Sequence, residues 1–404
     1  MGRIDDARLA SGPRIRADQL RALGLPYFAR EVAEGYFTTD VLSLSGDDTD
    51  RYAAFAKTAY ALYEAAVGDV LRGEYREEFG LTEELWALAA RTWRERVRHP
   101  HALCRFDVAG VIDGEPARLI ELNADTATVL AEAALVQPLQ AGGGTQWNDI
   151  LDALADQLAS LALELPPEER DVLVVTLGDP EDDDSALVWR RAAEAVGLRC
   201  ELAHLPSVHF APGEGVFRRL NGEEWVRYGI FVKLVPWDWI ALEEPGLLAD
   251  LSQLILRDGL AVINPPHTAL MQSKAMLAEL SRRYPDHPAI PAAGWGGRRG
   301  GAGGYVTKPL FGREGENVHA YAPDGSLLAE APGDYALQPR IWQRFVELPC
   351  DGDGDVYQAG VYWAGGACGV GLRRRDGLIV DREAEFVSHV VIEPRGYLRP
   401  HAPS

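Results

Sequence analysis

Residues 104–126 read CRFDVAGVIDGEPARLIELNADT. Two alternating runs flank Asp113-Gly114, the pattern of a β-hairpin. Arg105 and Asp107 stand two apart on the first run, and Glu121 and Asn123 two apart on the second, so each couple faces one side. A turn centred on Gly114 sets Asp107 opposite Glu121 and Arg105 opposite Asn123, and directly paired residues share a face. Two carboxylates and an amide oxygen suit Mg²⁺, with waters and phosphate oxygens as further ligands. Arg105 beside them would neutralise charge on a transferring phosphoryl group. The same residues also suit a solvent-facing hairpin laced by ion pairs, and a slip of one residue would send the couples to opposite faces.

A second stretch, YVTKPLFGREGENV from Tyr305 to Val318, contains one of only four lysines, with Lys57, Lys233 and Lys274, among 40 Lys plus Arg. A lysine kept where arginine is the rule suggests a site too narrow for a planar guanidinium, and a crowded phosphate site is one. Lys308 lies two residues after Val306 on a strand that Pro309 ends. Gly312 and Gly315 would let backbone N–H groups approach an anion. Arg313 and Glu314 between them suggest a loop that ties itself shut as a lid. The stretch is not the phosphate-cradling loop GxxxxGK[ST], which runs into a helix. Lys57 reads as a solvated helix residue, and by pattern alone so does Lys274.

The first hundred residues read as largely helical, with DRYAAFAKTAYALYEAAVGDVLR and LTEELWALAARTWRERV at helical spacing and Thr82 as an N-cap. DVLVVTLGD followed by SALVWRRAAEAVGL reads as a strand–helix unit. GIFVKLVPWDWI reads as a strand stopped by Pro236, TALMQSKAMLAELSRRY as an amphipathic helix, and GWGGRRGGAGG as a loop or hinge. The last third reads as mostly antiparallel β, and of Arg373, Arg374 and Arg375 at most one is expected to work chemically.

The chain of 404 residues carries a net charge of −21, which argues against nucleic acid as a partner. Cys104, Cys200, Cys350 and Cys368 show no metal or redox spacing and read as buried thiols. No apolar run reaches the roughly 20 residues of a membrane helix, and the charged start does not resemble a signal peptide, so a cytoplasmic protein is expected. There is no nucleophile elbow, HExxH or GxGxxG, so covalent catalysis by a side chain is not suggested.

RFD, ELNADT, KLVPWDW, SKAMLAEL, YVTKPLFGREGENV, the strand around Gln343, and GVGLR followed by FVSHVV resemble, in that order, the synthetase domain of glutathionylspermidine synthase and its stand-alone relatives. The resemblance covers most of the chain and is weakest before about residue 90. It implies an α+β protein of ATP-grasp fold, permuted so that the metal-bearing strands come early, with a helical N-terminal region. It also implies ATP and Mg²⁺ as cofactors. Asp107, Glu121 and Asn123 match the Mg²⁺ ligands, and Arg105 matches the group that stabilises phosphoryl transfer, with Arg373 a further arginine there. Lys274 and Lys308 match the two lysines on the ATP phosphates, which overturns the reading of Lys274 as solvated. Gly312, Arg313, Glu314 and Gly315 match the lid. Gln343 and Val346, Glu347 and Leu348 match the connector that meets adenine, while Thr126, Asp183, Asp184 and Trp237 match the substrate region. Lys233 is read as structural or pocket-lining. The chain departs from the family at Ala127, where proline is usual, and in the glycine-rich tract before Tyr305. No room for an amidase domain is apparent, so peptide hydrolysis is not carried over.

The resulting expectation is an ADP-forming carboxylate–amine ligase working through an acyl phosphate. The alternatives are a catalytically silent nucleotide-binding or regulatory protein, or a small-molecule kinase on the same fold. Expected regions are a helical part over 1–100, a central α/β part with the metal hairpin and substrate pocket over 101–265, and the nucleotide and lid part over 266–404. Partners are small molecules, a carboxylate and an amine, with neither nucleic acid nor membrane; a homodimer is compatible with these.

Overall fold

A computed structural model describes residues 2–73, 77–220, 224–257, 259–296 and 303–392. Most of the central and C-terminal part of the glycine-rich tract, residues 297–302, lies outside the described residues. Among the described residues, no helix is long and apolar enough to cross a membrane.

The helix Gly46–Val70 starts where Ser45 and Asp48 exchange hydrogen bonds between side chain and backbone, which satisfies two amides that a helix start leaves free. Tyr52, Phe55, Ala59, Tyr63, Ala66 and Val70 then recur on one buried face. Thr82 caps Glu83–Arg94 by accepting from the Leu85 amide. The N-terminal hundred residues are nevertheless not uniformly helical. Phe37–Ser45, FTTDVLSLS, is a strand beside Leu9–Ser11. Its β-branched and alternating residues carry that preference, and it lies parallel to the last strand, Glu385–Ile392.

Those strands belong to a seven-stranded sheet running Leu9–Ser11, Phe37–Ser45, Glu385–Ile392, Ala367–Arg375, Val356–Trp363, Cys104–Ala109, Arg118–Asn123. Its members come from both ends and the middle of the sequence, so residues 1–100, 101–265 and 266–404 interleave in one sheet. A second, parallel sheet orders Ala261–Ile263, Ile230–Lys233, Val172–Thr176 and Cys200–His204. The helix Pro180–Ala195 makes the crossover between its last two strands, the connection that parallel neighbours require. A five-stranded antiparallel sheet of Ala293–Trp295, Arg340–Arg344, Tyr305–Pro309, His319–Tyr321 and Leu327–Glu330 carries the second motif. A three-stranded antiparallel sheet is formed by Val208–Ala211, Gly215–Leu220 and Glu224–Tyr228. Trp295 and Gly294, read as loop, lie in the first strand of the five-stranded sheet, and only the tract beyond Trp295 leaves it.

One expected helix is two. TALMQSKAMLAELSRRY forms Thr268–Gln272 and Ala275–Arg283, separated where Ser273 turns extended. The break has distant partners. The Lys274 amide donates to Leu310 O at 2.9 Å, and Ser273 Oγ donates to Phe79 O at 3.0 Å. Tertiary bonds replace helical ones, and the lysine leaves the helix surface for the interior.

The hairpin depends on Gly110, which holds φ +89° and whose missing Cβ would lie 2.4 Å from Pro116 O. Gly114 also holds a positive φ, but in open space. Gly110→Ala is therefore expected to cost more than the roughly 1–2 kcal/mol of backbone strain expected for Gly114→Ala. Thermal unfolding checks this, and equal losses in the two variants would count against the close approach.

Candidate active site

The hairpin pairs Arg105 with Asn123 and Asp107 with Glu121, and a bulge follows between Asp107 and Val108. The register thus brings the four side chains to one face. Arg105 Nε donates to Asp107 Oδ1 at 2.8 Å and Nη2 to Oδ2 at 3.2 Å, a two-point pair that is almost wholly buried. Asn123 Nδ2 donates to Asp107 Oδ2 at 3.3 Å. Burial opposes the Arg105 charge, but the Asp107 carboxylate more than offsets this and holds the guanidinium above its usual range. On the next strand Gly360 stands beside Asp107. A Cβ there would come within 2.7 Å of Arg105 Cδ, so the arginine lies flat only because that position has no side chain. Arg373 adds a second guanidinium, its Nη2 3.8 Å from Asp107 Oδ2.

Two of the four lysines meet at Glu121. Lys274 Nζ and Lys308 Nζ each lie 3.6 Å from Glu121 Oε2. Lys308 donates to Ile120 O at 3.1 Å and Lys274 to Gly312 O at 2.6 Å. Burial would raise the Glu121 pKa, yet the two ammoniums and then Arg105 and Arg373 outweigh it and hold it at about 2. Burial, relieved by Glu121 and worsened by Lys274, pulls Lys308 below its ordinary range. Four cations therefore surround two carboxylates, and the excess positive charge suits a polyanion.

Lys274 stands behind Glu121, and Arg105, Asp107, Glu121, Asn123, Lys308 and Arg373 line one cavity with the apolar side chains of Ile120, Val306, Phe345, Val346, Leu348 and Ile379. Gln343 is on its wall and donates to Leu119 O at 3.2 Å. Glu347 points away and lines a neighbouring pocket with Arg118. Arg313, Glu314 and Gly315 close over the cavity. Gly315 holds φ +72°, and its Cβ would meet Val380 O at 2.9 Å, so the loop rests directly on the segment opposite. Arg313 does not pair with its neighbour Glu314. Its Nη2 donates to Asp238 Oδ1 at 2.5 Å and its Nη1 to Tyr335 Oη at 3.2 Å.

Thr126 is on the cavity wall; three other residues read as substrate-binding are not. Asp184 accepts the Tyr27 and Phe28 amides at 3.1 and 3.2 Å. Asp183 accepts Thr176 Oγ1 at 2.6 Å and faces His204 Nε2 at 3.0 Å. Trp237 is buried, its indole N–H donating to Asn264 O at 2.9 Å. Burial, then Glu132 and Glu314, raise Glu181 to about 8, and burial with Asp179 raises Asp182 to about 6. Glu132 sits in a π-helical turn, Glu132–Val136, a form common at functional sites. Tyr36 Oη donates to its Oε1 at 2.5 Å, while Oε2 is buried with no hydrogen-bond partner. Burial raises the Glu132 pKa against the pull of Tyr36, Arg105 and Arg373. Glu132, Glu181 and Asp182 thus form an acidic cluster near Arg105, Arg373 and Glu314, off the cavity lining. Its signal was present in the sequence: Glu132 is a lone charge in the apolar run VLAEAALV.

Comparison with known proteins gives a consistent picture. The family described as glutathionylspermidine synthase preATP-grasp matches residues 9–392. A Haemophilus influenzae protein carrying the name acid–amine ligase is 26% identical over 93% of this chain and 96% of its own length. Trypanothione synthetase of Crithidia fasciculata is 25% identical over 84% of this chain but 54% of its own, so the chain spans about half of that relative. Among solved structures, a glutathione synthetase-like effector of Globodera pallida superposes with a TM-score of 0.53 at 12% identity, covering 93% of this chain and 96% of that one. That likeness is one of fold.

The acidic cluster has a measurable signature. Glu181 titrates at about 8 in the folded chain against an ordinary 4.5, so the folded state binds this proton more tightly than the unfolded state. The stability it contributes is complete below about pH 4.5 and is lost as pH rises through about 8. Glu181→Gln is expected to melt above wild type at pH 9, with the gap closing toward pH 5. Parallel melting curves across that range would contradict the assignment.

Proposed function

The chain belongs to the glutathionylspermidine synthase family, and on that premise we propose that it is an ATP-dependent ligase that joins a carboxylate to an amine, releasing ADP and phosphate. The observation that carries this reading is the cavity lined by Arg105, Lys308 and Arg373 together with Asp107, Glu121 and Asn123, with Lys274 beside Glu121. The cations suit a polyphosphate, and the Glu132 carboxylate near Arg105 and Arg373, its Oε2 without a hydrogen-bond partner, suits an ammonium group; a ligase of this class needs both. The proposed order of segments is a permuted ATP-grasp arrangement, with the metal hairpin early and the nucleotide and lid part over 266–404. The four cysteines are free, in keeping with a proposed cytoplasmic protein.

ATP is proposed to lie with adenine in the apolar slot beside Gln343 and Val346 and with its phosphates toward Lys274 and Lys308. Asp107, Glu121 and Asn123 form a donor set that fits Mg²⁺: all can present oxygen, and Glu121 Oε2, at 3.6 Å from each lysine, lies beyond hydrogen-bond distance and keeps its lone pairs open. The Asn123 amide now turns its NH₂ to Asp107; the other orientation of the amide offers the carbonyl oxygen. When bound there, Mg²⁺ would neutralise charge on the phosphates. Arg105 and Arg373 stabilise charge on the γ-phosphoryl group as the substrate carboxylate attacks it, and Thr126 faces the acyl group. The amine arrives as a cation and must lose a proton to become a nucleophile. Glu132, whose Oε2 has no hydrogen-bond partner, is the proposed acceptor. The acyl carbon then bonds to nitrogen and phosphate leaves. The Arg313, Glu314 and Gly315 loop keeps water from the acyl phosphate.

The test measures ADP release from Mg-ATP with glutathione and γ-glutamyl peptides as the acid pool and polyamines and amino acids as the amine pool. ADP that requires both pools is the expected result. Asp107→Ala and Glu121→Ala are expected to abolish it while circular dichroism stays unchanged. Release with the acid pool alone, unaltered by any amine, would favour a kinase, and undiminished release in both variants would remove these residues from the site.

A further inference from the structure

The third buried lysine is outside the cavity. Lys233 ends the strand Ile230–Lys233 of the parallel sheet, and its ammonium is wholly buried. Its Nζ donates to Asp125 Oδ1 at 2.5 Å and to Val235 O at 3.2 Å, and lies 4.5 Å from the centroid of the Trp237 ring. Asp125 comes two residues after Asn123 and one before Thr126. Its other oxygen, Oδ2, accepts the Trp237 amide at 2.7 Å. The backbone on either side is held as tightly. Gln272 Oε1 accepts the Ala124 and Asp125 amides at 2.7 and 3.0 Å. Asn264 Nδ2 donates to Ala124 O and Asp125 O at 3.2 and 2.8 Å.

We infer that Lys233, paired with Asp125, is a positioning residue for the reaction. The pair fastens the end of the strand Arg118–Asn123 to the parallel sheet, and so fixes where Asn123 and Thr126 stand in the cavity. Lys233 is also paired across the sheet with Val175, one residue before the strand end that leads to the helix bearing Glu181 and Asp182. The same fastening therefore ties the end of the hairpin to the element that carries Glu181 and Asp182. A buried ion pair is poor value for stability alone, since well-packed apolar residues of similar volume often do as well or better. Its worth here is directional: a charged acceptor accepts in one geometry, and a methyl group does not fix one. The three donors of an ammonium reach a carboxylate, a carbonyl and an aromatic face within a space that a planar guanidinium would overfill.

This inference rests on the proposed metal site, so its test reads metal binding rather than turnover. Mn²⁺ is titrated into the full chain with a non-hydrolysable ATP analogue, and free Mn²⁺ is followed by electron paramagnetic resonance, with thermal unfolding measured alongside. The double variant Lys233→Met, Asp125→Asn removes both charges and keeps the volume. It is expected to melt within a few degrees of wild type yet to bind Mn²⁺ about tenfold or more weakly, the range typical for partners that orient metal ligands. Asp125→Asn alone keeps an acceptor for the Trp237 amide and is expected to weaken Mn²⁺ in the same direction but less; it decides the matter if the double variant does not fold. Lys57→Met, on an exposed helix face, should change neither quantity. Wild-type Mn²⁺ affinity in the folded variants would overturn the positioning role and leave the ligase reading standing. No Mn²⁺–nucleotide binding by the wild type would overturn both.

Discussion

The direct pairing of Asp107 with Glu121 across the hairpin is the constraint on which the rest of the site depends. A buried carboxylate, Asp107, and a half-buried one, Glu121, on adjacent strands repel each other and lose hydration, a cost that unpaired ions cannot sustain. Around Glu121 the protein offsets that cost with Lys274 and Lys308, and around Asp107 with Arg105 and Arg373. Each cation comes from a different part of the chain: the hairpin itself, the helix break at Ser273, the five-stranded sheet, and the central strand of the large sheet. The register of one hairpin thus dictates where three distant elements must come to rest. Gly360 belongs to the same arrangement, because only a residue without a side chain lets Arg105 reach Asp107 lying flat.

The scarcity of lysine follows from the same geometry. Lys274, Lys308 and Lys233 are all buried, and each makes at most two short hydrogen bonds at a compact head. Arginines occupy the places where a fork has two acceptors, as Arg105 does at the two oxygens of Asp107 and Arg374 at Glu385 and Asp40. Only Lys57 is on the surface, where either residue would serve.

Much of this was legible in the sequence, and what was not has a common physical cause. The hairpin register followed from alternation and a turn signal, both local. The strand at Tyr305–Pro309 and the helices at Gly46 and Glu83 followed from spacing and caps, also local. The break at Ser273 was not legible, since TALMQSKAMLAEL has helical spacing throughout and the break is made by Phe79 and Leu310, remote in sequence. The strand Phe37–Ser45 was passed over because its partner is the last strand of the chain. In EDDD, residues 181–184, the four acids look alike, yet a helix turns each one differently. Asp184 is drawn to the Tyr27 and Phe28 amides, Asp183 to Thr176 and His204, and Glu181 and Asp182 are left near Glu314. Only tertiary contacts separate them. The Arg313 pairing with Asp238 has the same character: composition suggested a loop tied by its own charges, and the partner is another segment.

That last pair links the loop at Arg313 to the interior. Asp238 follows Trp237, whose amide is held by Asp125 and whose ring lies against Lys233. One helical start, Trp237–Glu243, therefore receives the loop through Arg313 and the segment after the strand Arg118–Asn123 through Asp125. Burial raises Asp238, and the Arg313 guanidinium pulls it back toward the charged form. An uncompensated buried charge is costly, so Asp238 favours the arrangement in which Arg313 meets it, at the residue adjoining the fastening of Asp125. The loop and the hairpin, 190 residues apart in sequence, thus share one short turn of helix as their common support.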